Sequence, residues 1–149
     1  MKPIHIVIIF LAAITLSTLT IYFILASNEY THLIEFAEAG LESEIPELQV
    51  EIALFAGSGL IYLGLLGWIL VKKTDNILPY VVLITISTIL IITYALSRTV
   101  GVPMIGIEYY IGKYDLITKI LQGIIVAISG YLIYKIKMDK KQLEVIRKI

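Results

Sequence analysis

Apolar residues dominate four long stretches, separated by short polar ones. The stretches are Ile4–Ala26, Ile52–Val71, Ile77–Ser97 and Leu116–Tyr134. A helix needs about 20 apolar residues to cross the hydrocarbon of a bilayer. Each stretch is close to that length, and the only Asp, Glu, Lys or Arg inside any of them is Lys119. Backbone groups in hydrocarbon must pair within their own segment, so the stretches are predicted to be helices rather than lone strands. The pattern predicts an all-α protein, a four-transmembrane-helix bundle forming one integral membrane domain over 1–149.

The polar segments are sorted by charge. Nine of the twelve basic residues fall at the N-terminus, in the "KKTDN" connection or in the tail: Lys2, Lys72, Lys73, Lys135, Lys137, Lys140, Lys141, Arg147 and Lys148. Arg98, Lys113 and Lys119 fall at the opposite ends of the spans. Cytoplasmic loops are enriched in Lys and Arg, so both termini are expected inside, in a multi-pass protein of the plasma membrane. The acidic outer segment, 27–51, carries Glu29, Glu35, Glu38, Glu42, Glu44, Glu47 and Glu51. Within it Leu33, Phe36, Ala37 and Leu41 recur at helical spacing, with Gly40 as a stop. Two arrangements fit: the first helix runs on to about Ala39, or a short helix lies in the interface. The basic tail, 135–149, either prolongs the fourth helix or lies on anionic lipid.

Composition agrees with this class: 58% of residues are hydrophobic, 16% are charged, and the mean hydropathy is +0.91. Without cysteine there is no disulfide and no thiolate metal site. The first run exceeds the roughly 7–15 residues of a signal-peptide core and is read as a retained span. Tyr22, Tyr30, Tyr94, Tyr109, Tyr110 and Tyr114 fall near the outer ends, and Trp68, Tyr80, Tyr131 and Tyr134 near the inner ends, as interfacial aromatics do. Tyr62 falls mid-span, where a core position suits it. Ala53, Gly57 and Gly64 share one face of the second span, which predicts close helix packing there. The Thr and Ser residues of the first and third spans are expected to bond back to their own helices.

Candidate chemistry is sparse. Arg98 follows Ser97 at the outer end of the third span, and Asp115 opens the fourth. Gly101, Pro103, Gly106 and Gly112 punctuate the loop between them. An Arg–carboxylate pair is directional, and a charge near the membrane core usually has a partner. Arg98 is therefore expected to pair with Asp115, Glu108 or an outer acid such as Glu35; the alternative is an interfacial anchor. Asp115, Lys119 and Gln122 form a polar stripe that should face protein or water. It would wall a small vestibule, contact another subunit, or hold only a local ion pair. His32, Glu35 and Glu38 are the sole candidates for a metal site, and they lack a second histidine nearby. No nucleophile–base pair, phosphate loop or dinucleotide fingerprint is present, which argues against an enzyme and against nucleic acid as a partner.

At "THLIEF" after the first span, and at "SRTVGVPMIG" and "YDL" between the last two, the chain resembles small four-span membrane proteins of archaea and bacteria. In that pattern an outer His and Glu, the Arg of "SRTVG" and the Asp before the last span stand on one side, which here are His32, Glu35, Arg98 and Asp115. The Ile- and Lys-rich, cysteine-free composition is also similar to that of small helical proteins accompanying the copper-dependent ammonia monooxygenase of archaea. The lack of chemistry, the small size and an acidic outer segment suited to contact give the expectation of a non-catalytic accessory or structural subunit, as of such a monooxygenase, partnered by other integral membrane subunits and lipid and holding no cofactor of its own. The alternative is a stand-alone protein that binds a metal ion or small ligand at its outer face.

Overall fold

The computed structural model describes residues 3–71, 76–101, 107, 109 and 112–147. Among them there are four α-helices and no strand: α1 Pro3–Glu38, α2 Ile45–Val71, α3 Leu78–Thr99 and α4 Lys113–Arg147. All four are long and apolar enough to cross a membrane, the architecture of a multi-pass membrane protein. At 1.5 Å per residue, α1 and α4 are each roughly 50 Å long, against roughly 30 Å of hydrocarbon. The first helix therefore runs on past its apolar run, and the tail prolongs the fourth.

The helix ends follow from local chemistry. Gly40 takes a positive φ of 73°, and the amide of Leu41 donates to the Phe36 carbonyl at 3.0 Å, closing α1 in a left-handed turn that glycine makes at little cost. Gly101, φ 88°, does the same after α3, where its amide donates to the Leu96 carbonyl at 2.9 Å. The Asn76 side chain accepts the Leu78 amide at 2.9 Å, just before Pro79 sets the first turn of α3.

The core lies along one stripe of each helix. On α4 the stripe is Thr118, Gln122, Ile125, Ser129, Leu132 and Ile136, all buried at helical spacing. α1 packs on α2 and on α4, and α3 packs on α4. The α2–α3 seam is the loosest of the four. Towards the ends that carry the termini and the Lys-rich connection, here the basic end, the core is apolar: Leu11, Leu65, Leu66, Ile69, Leu83, Leu132 and Ile136, with Tyr80. The end bearing the Glu-rich segment is here the acidic end.

The small-residue face predicted on α2 is corrected. Ala53 and Gly64 are exposed, and a Cβ built on Gly57 or Gly64 meets nothing within 4 Å. Tight approach occurs instead at Gly59, where a Cβ would lie 3.1 Å from the Phe23 ring. Spacing of four and seven puts residues on a common face but does not say which face turns inward. Here the larger Tyr62, Leu65 and Ile69, together with Ser58, take the inward side.

Candidate functional site

Three helices meet at a buried amide in the half nearer the acidic end. Gln122 on α4 is fully buried, and its Nε2 donates to the Tyr22 hydroxyl at 2.8 Å and to the Tyr62 hydroxyl at 3.1 Å. Its Oε1 accepts from Lys119 Nζ at 3.2 Å. Both amide hydrogens and the carbonyl oxygen are thus used, which fixes the amide orientation. Tyr62 goes on to share a 2.8 Å hydrogen bond with Ser87 on α3. Tyr62 accepts from Gln122, and in its bond with Ser87 either hydroxyl can be the donor. The rings of Tyr22 and Tyr62 stack at 5.9 Å, a separation that contributes roughly 0.5–1.5 kcal/mol beyond their burial.

Two members of this network, Tyr22 and Lys119, line a cavity of about 420 Å³ that residues of all four helices enclose. Leu25, Leu54, Phe55 and Leu90 supply apolar wall, while Ser58, Thr93, Ser97 and Thr118 add hydroxyls. Glu29, Glu51, Arg98, Lys113 and Asp115 ring the acidic end, and Lys119 lies one turn deeper than Asp115 on α4. Arg98 donates to Asp115 at 3.2 Å, with side chains only 14% and 20% exposed. Asp115 also stands in the first turn of α4, where the helix dipole favours a carboxylate.

Lys119 is held unusually. Its Nζ donates to the Tyr22 hydroxyl at 3.4 Å, to the Leu90 carbonyl at 3.3 Å and to Gln122. None of these acceptors carries a charge, and all three contacts are longer than the 2.7–2.9 Å or so of a charge-assisted hydrogen bond. A cation within an apolar run is costly, up to roughly 2.5–3.5 kcal/mol at the bilayer centre on insertion scales. Aromatic faces supply part of the compensation: Nζ lies 5.8 Å from the Tyr22 centroid and 5.1 Å from that of Tyr94. The Arg98 guanidinium lies 4.8 Å from the same Tyr94 ring. The Tyr94 hydroxyl is buried in the cavity wall and has no hydrogen-bond partner among the described residues.

The sequence candidates divide between two places. Arg98, Asp115 and Lys119 come together at the cavity, and Gln122 stands behind its wall, bonded to Lys119 and Tyr22. Glu35 does not: it stands on the projecting part of α1, where His32 Nδ1 lies 3.5 Å from it, both side chains well exposed. Among the described residues no group of three or more His, Asp or Glu is placed to hold a metal, so His32, Glu35 and Glu38 do not converge. Glu108, Pro103 and Gly106 lie outside the described residues. Tyr22 and Tyr94, expected in the interfacial belt, turn inward instead, and Tyr80 is buried at the other end. Thr15, Ser17, Thr18, Thr20 and Thr85 bond to the carbonyl four residues before them, whereas Ser87 reaches across to Tyr62. Sequence reasoning missed Tyr22, Tyr94 and Ser87 as site residues. Their one available signal was spacing: Ser87, Leu90, Tyr94 and Ser97 recur at three and four along α3.

No family model, curated protein or solved structure matches this chain.

Proposed function

We propose that this chain is a multi-pass membrane protein that binds a small amphiphilic ligand in the cavity at its acidic end. The sorting of basic residues puts that end outside the cell. The observation that carries the reading is the open volume itself, lined by all four helices beside the hydrogen-bonded Gln122 network. Helix association in lipid rests on close packing and interhelical hydrogen bonds. A purely structural bundle would be filled at that level, as it is at the basic end. A volume of this size lies within the roughly 300–1,000 Å³ of small-molecule sites. The reading calls for no catalytic group and no metal.

The test is native mass analysis of the full chain extracted gently from its membrane, beside Ser58→Trp, which places an indole in the cavity from α2. A small-molecule adduct on the unaltered chain, lost in Ser58→Trp with helix content unchanged, is the expected result. A bare mass for both proteins overturns it. The same preparation addresses the accessory-subunit reading, whose motive is the exposed acidic segment formed by Glu35 and Glu38 at the end of α1 and Glu42 and Glu44 in the connection after it. A complex of fixed stoichiometry with defined membrane subunits, a copper monooxygenase among them, supports it; a lone chain carrying a ligand counts against it.

A further inference from the structure

We infer that the ligand of this cavity is an acyl chain with a single carboxylate head, seated with the head on Lys119. This rests on the cavity being a ligand site, as proposed above, and adds the chemical class.

The head follows from charge and geometry at one depth. Lys119 is the sole Lys, Arg, Asp or Glu within the four apolar runs, and it lines the cavity. Its three neutral acceptors lie at 3.2–3.4 Å, so a carboxylate gains shorter, charge-assisted bonds by displacing one of them. The Tyr94 ring lines the same wall, with Lys119 Nζ 5.1 Å from its centroid. One fixed cation at that depth matches one negative charge. A doubly charged head would leave a charge uncompensated in a low-dielectric site, which is strongly disfavoured.

The tail follows from the walls. Leu25, Leu54, Phe55 and Leu90 form the apolar side. Leu54 is also 47% exposed, and its helix, α2, takes part in the loosest helix seam, that with α3. A chain leaving between α2 and α3 passes from cavity to lipid without crossing water.

The experiment titrates the full chain, in nanodiscs of zwitterionic lipid, with dodecanoate carrying a ¹³C carboxyl. Methyl dodecanoate, dodecylamine and acetate are the comparison ligands, and the protein carries ¹⁵N at its lysine side chains. Dodecanoate is expected to saturate one site, with its carboxyl carbon dipolar-coupled to a lysine nitrogen. A hydrogen bond to a charged group is lost with the ester, so methyl dodecanoate should bind roughly tenfold or more weakly. Dodecylamine and acetate should not compete. Lys119→Met should abolish both the coupling and the preference for acid over ester. The ligand series on the unaltered chain decides the matter even if Lys119→Met fails to fold. Equal binding of acid and ester, or binding of the amine, overturns the carboxylate assignment and leaves a ligand cavity standing. No saturable binding of any chain, together with a retained native adduct, overturns the acyl class alone. The bare mass described above removes the cavity reading itself.

Discussion

Along one face of α4, Thr118 and Gln122 point the same way as Leu132 and Ile136, yet the two ends of that face meet different surroundings. At the basic end Leu132 and Ile136 join a largely apolar core with Leu11, Ile69 and Leu83, beside the buried Tyr80. At the acidic end Gln122 supports hydrogen bonds across three helices and Thr118 lines an open cavity. The difference shows what a bundle in lipid uses for each purpose. With no water to expel, cohesion comes from contact and hydrogen bonding. A half that gives up contact must hold its shape by directional bonds instead, and the Gln122 network does this directly beside the cavity.

The largest expected effect tests the filled half. Leu83 is fully buried among the basic-end core. Leu83→Ala should cost about 2 kcal/mol, the low end for such truncations, because in lipid the cavity penalty remains while most of the water-transfer loss does not. Leu25→Ala, on the wall of the existing cavity, should cost under about half of that, since few contacts are lost on its open side. Unfolding of bicelle-embedded protein by titrated dodecyl sulfate measures both. Equal costs would erase the distinction between a packed and a hollow half.

Next comes the network. Gln122→Leu removes the donor to Tyr22 and Tyr62 and an acceptor from Lys119. Membrane hydrogen bonds average about 0.6 kcal/mol each, so the expected loss is about 1–2 kcal/mol in the same unfolding assay. A loss below about 0.3 kcal/mol, which one average membrane bond already exceeds, would mean that packing alone holds this half.

How much of this was legible in the sequence follows the same division. The spans and the stop at Gly40 are local matters of hydropathy and turn chemistry and are legible in the chain, whereas the continuation of α1 to Glu38 was one of two arrangements that the spacing allowed. The stripe Asp115, Lys119, Gln122 was also local, and its polarity in an apolar run marked it as facing protein or cavity. What it touches was not readable. Tyr22 and Gln122 are a hundred positions apart, and a tyrosine near a span end looks the same whether it faces headgroups or the core. The α2 glycines failed for a related reason: periodicity defines a face, and only the neighbouring helices decide which face is buried.

At the mouth of the cavity the Arg98–Asp115 pair gives a smaller effect. The two side chains are partly buried, so coupling near the upper end of the 0.2–1 kcal/mol or so of exposed pairs is expected. Arg98→Gln, Asp115→Asn and the double variant form the cycle. If the double loss equals the sum of the single ones, the two are uncoupled. Arg98→Lys should recover only part of the loss, because it keeps the charge without the planar fork.

The smallest effect probes the boundary between the halves. Ser129 lies on the same stripe of α4, two turns beyond Gln122, fully buried, and its hydroxyl has no partner among the described residues. It is a polar residue placed where the network has already given way to dry packing. Replacing a buried, unsatisfied hydroxyl removes a desolvation cost without removing a bond. Ser129→Ala loses only an oxygen, so the void it leaves is small. The expected outcome is a gain of a few tenths of a kcal/mol, or no change, within the usual range for a substitution that breaks nothing. This is opposite in sign to Gln122→Leu on the same helix face, although both replace a buried polar group with an apolar one. A clear loss for Ser129→Ala, of about 1 kcal/mol or more, corresponds to a lost hydrogen bond. It would show that Ser129 has a partner in the membrane-embedded protein, and that the polar half reaches two turns further towards the basic end than the network around Gln122.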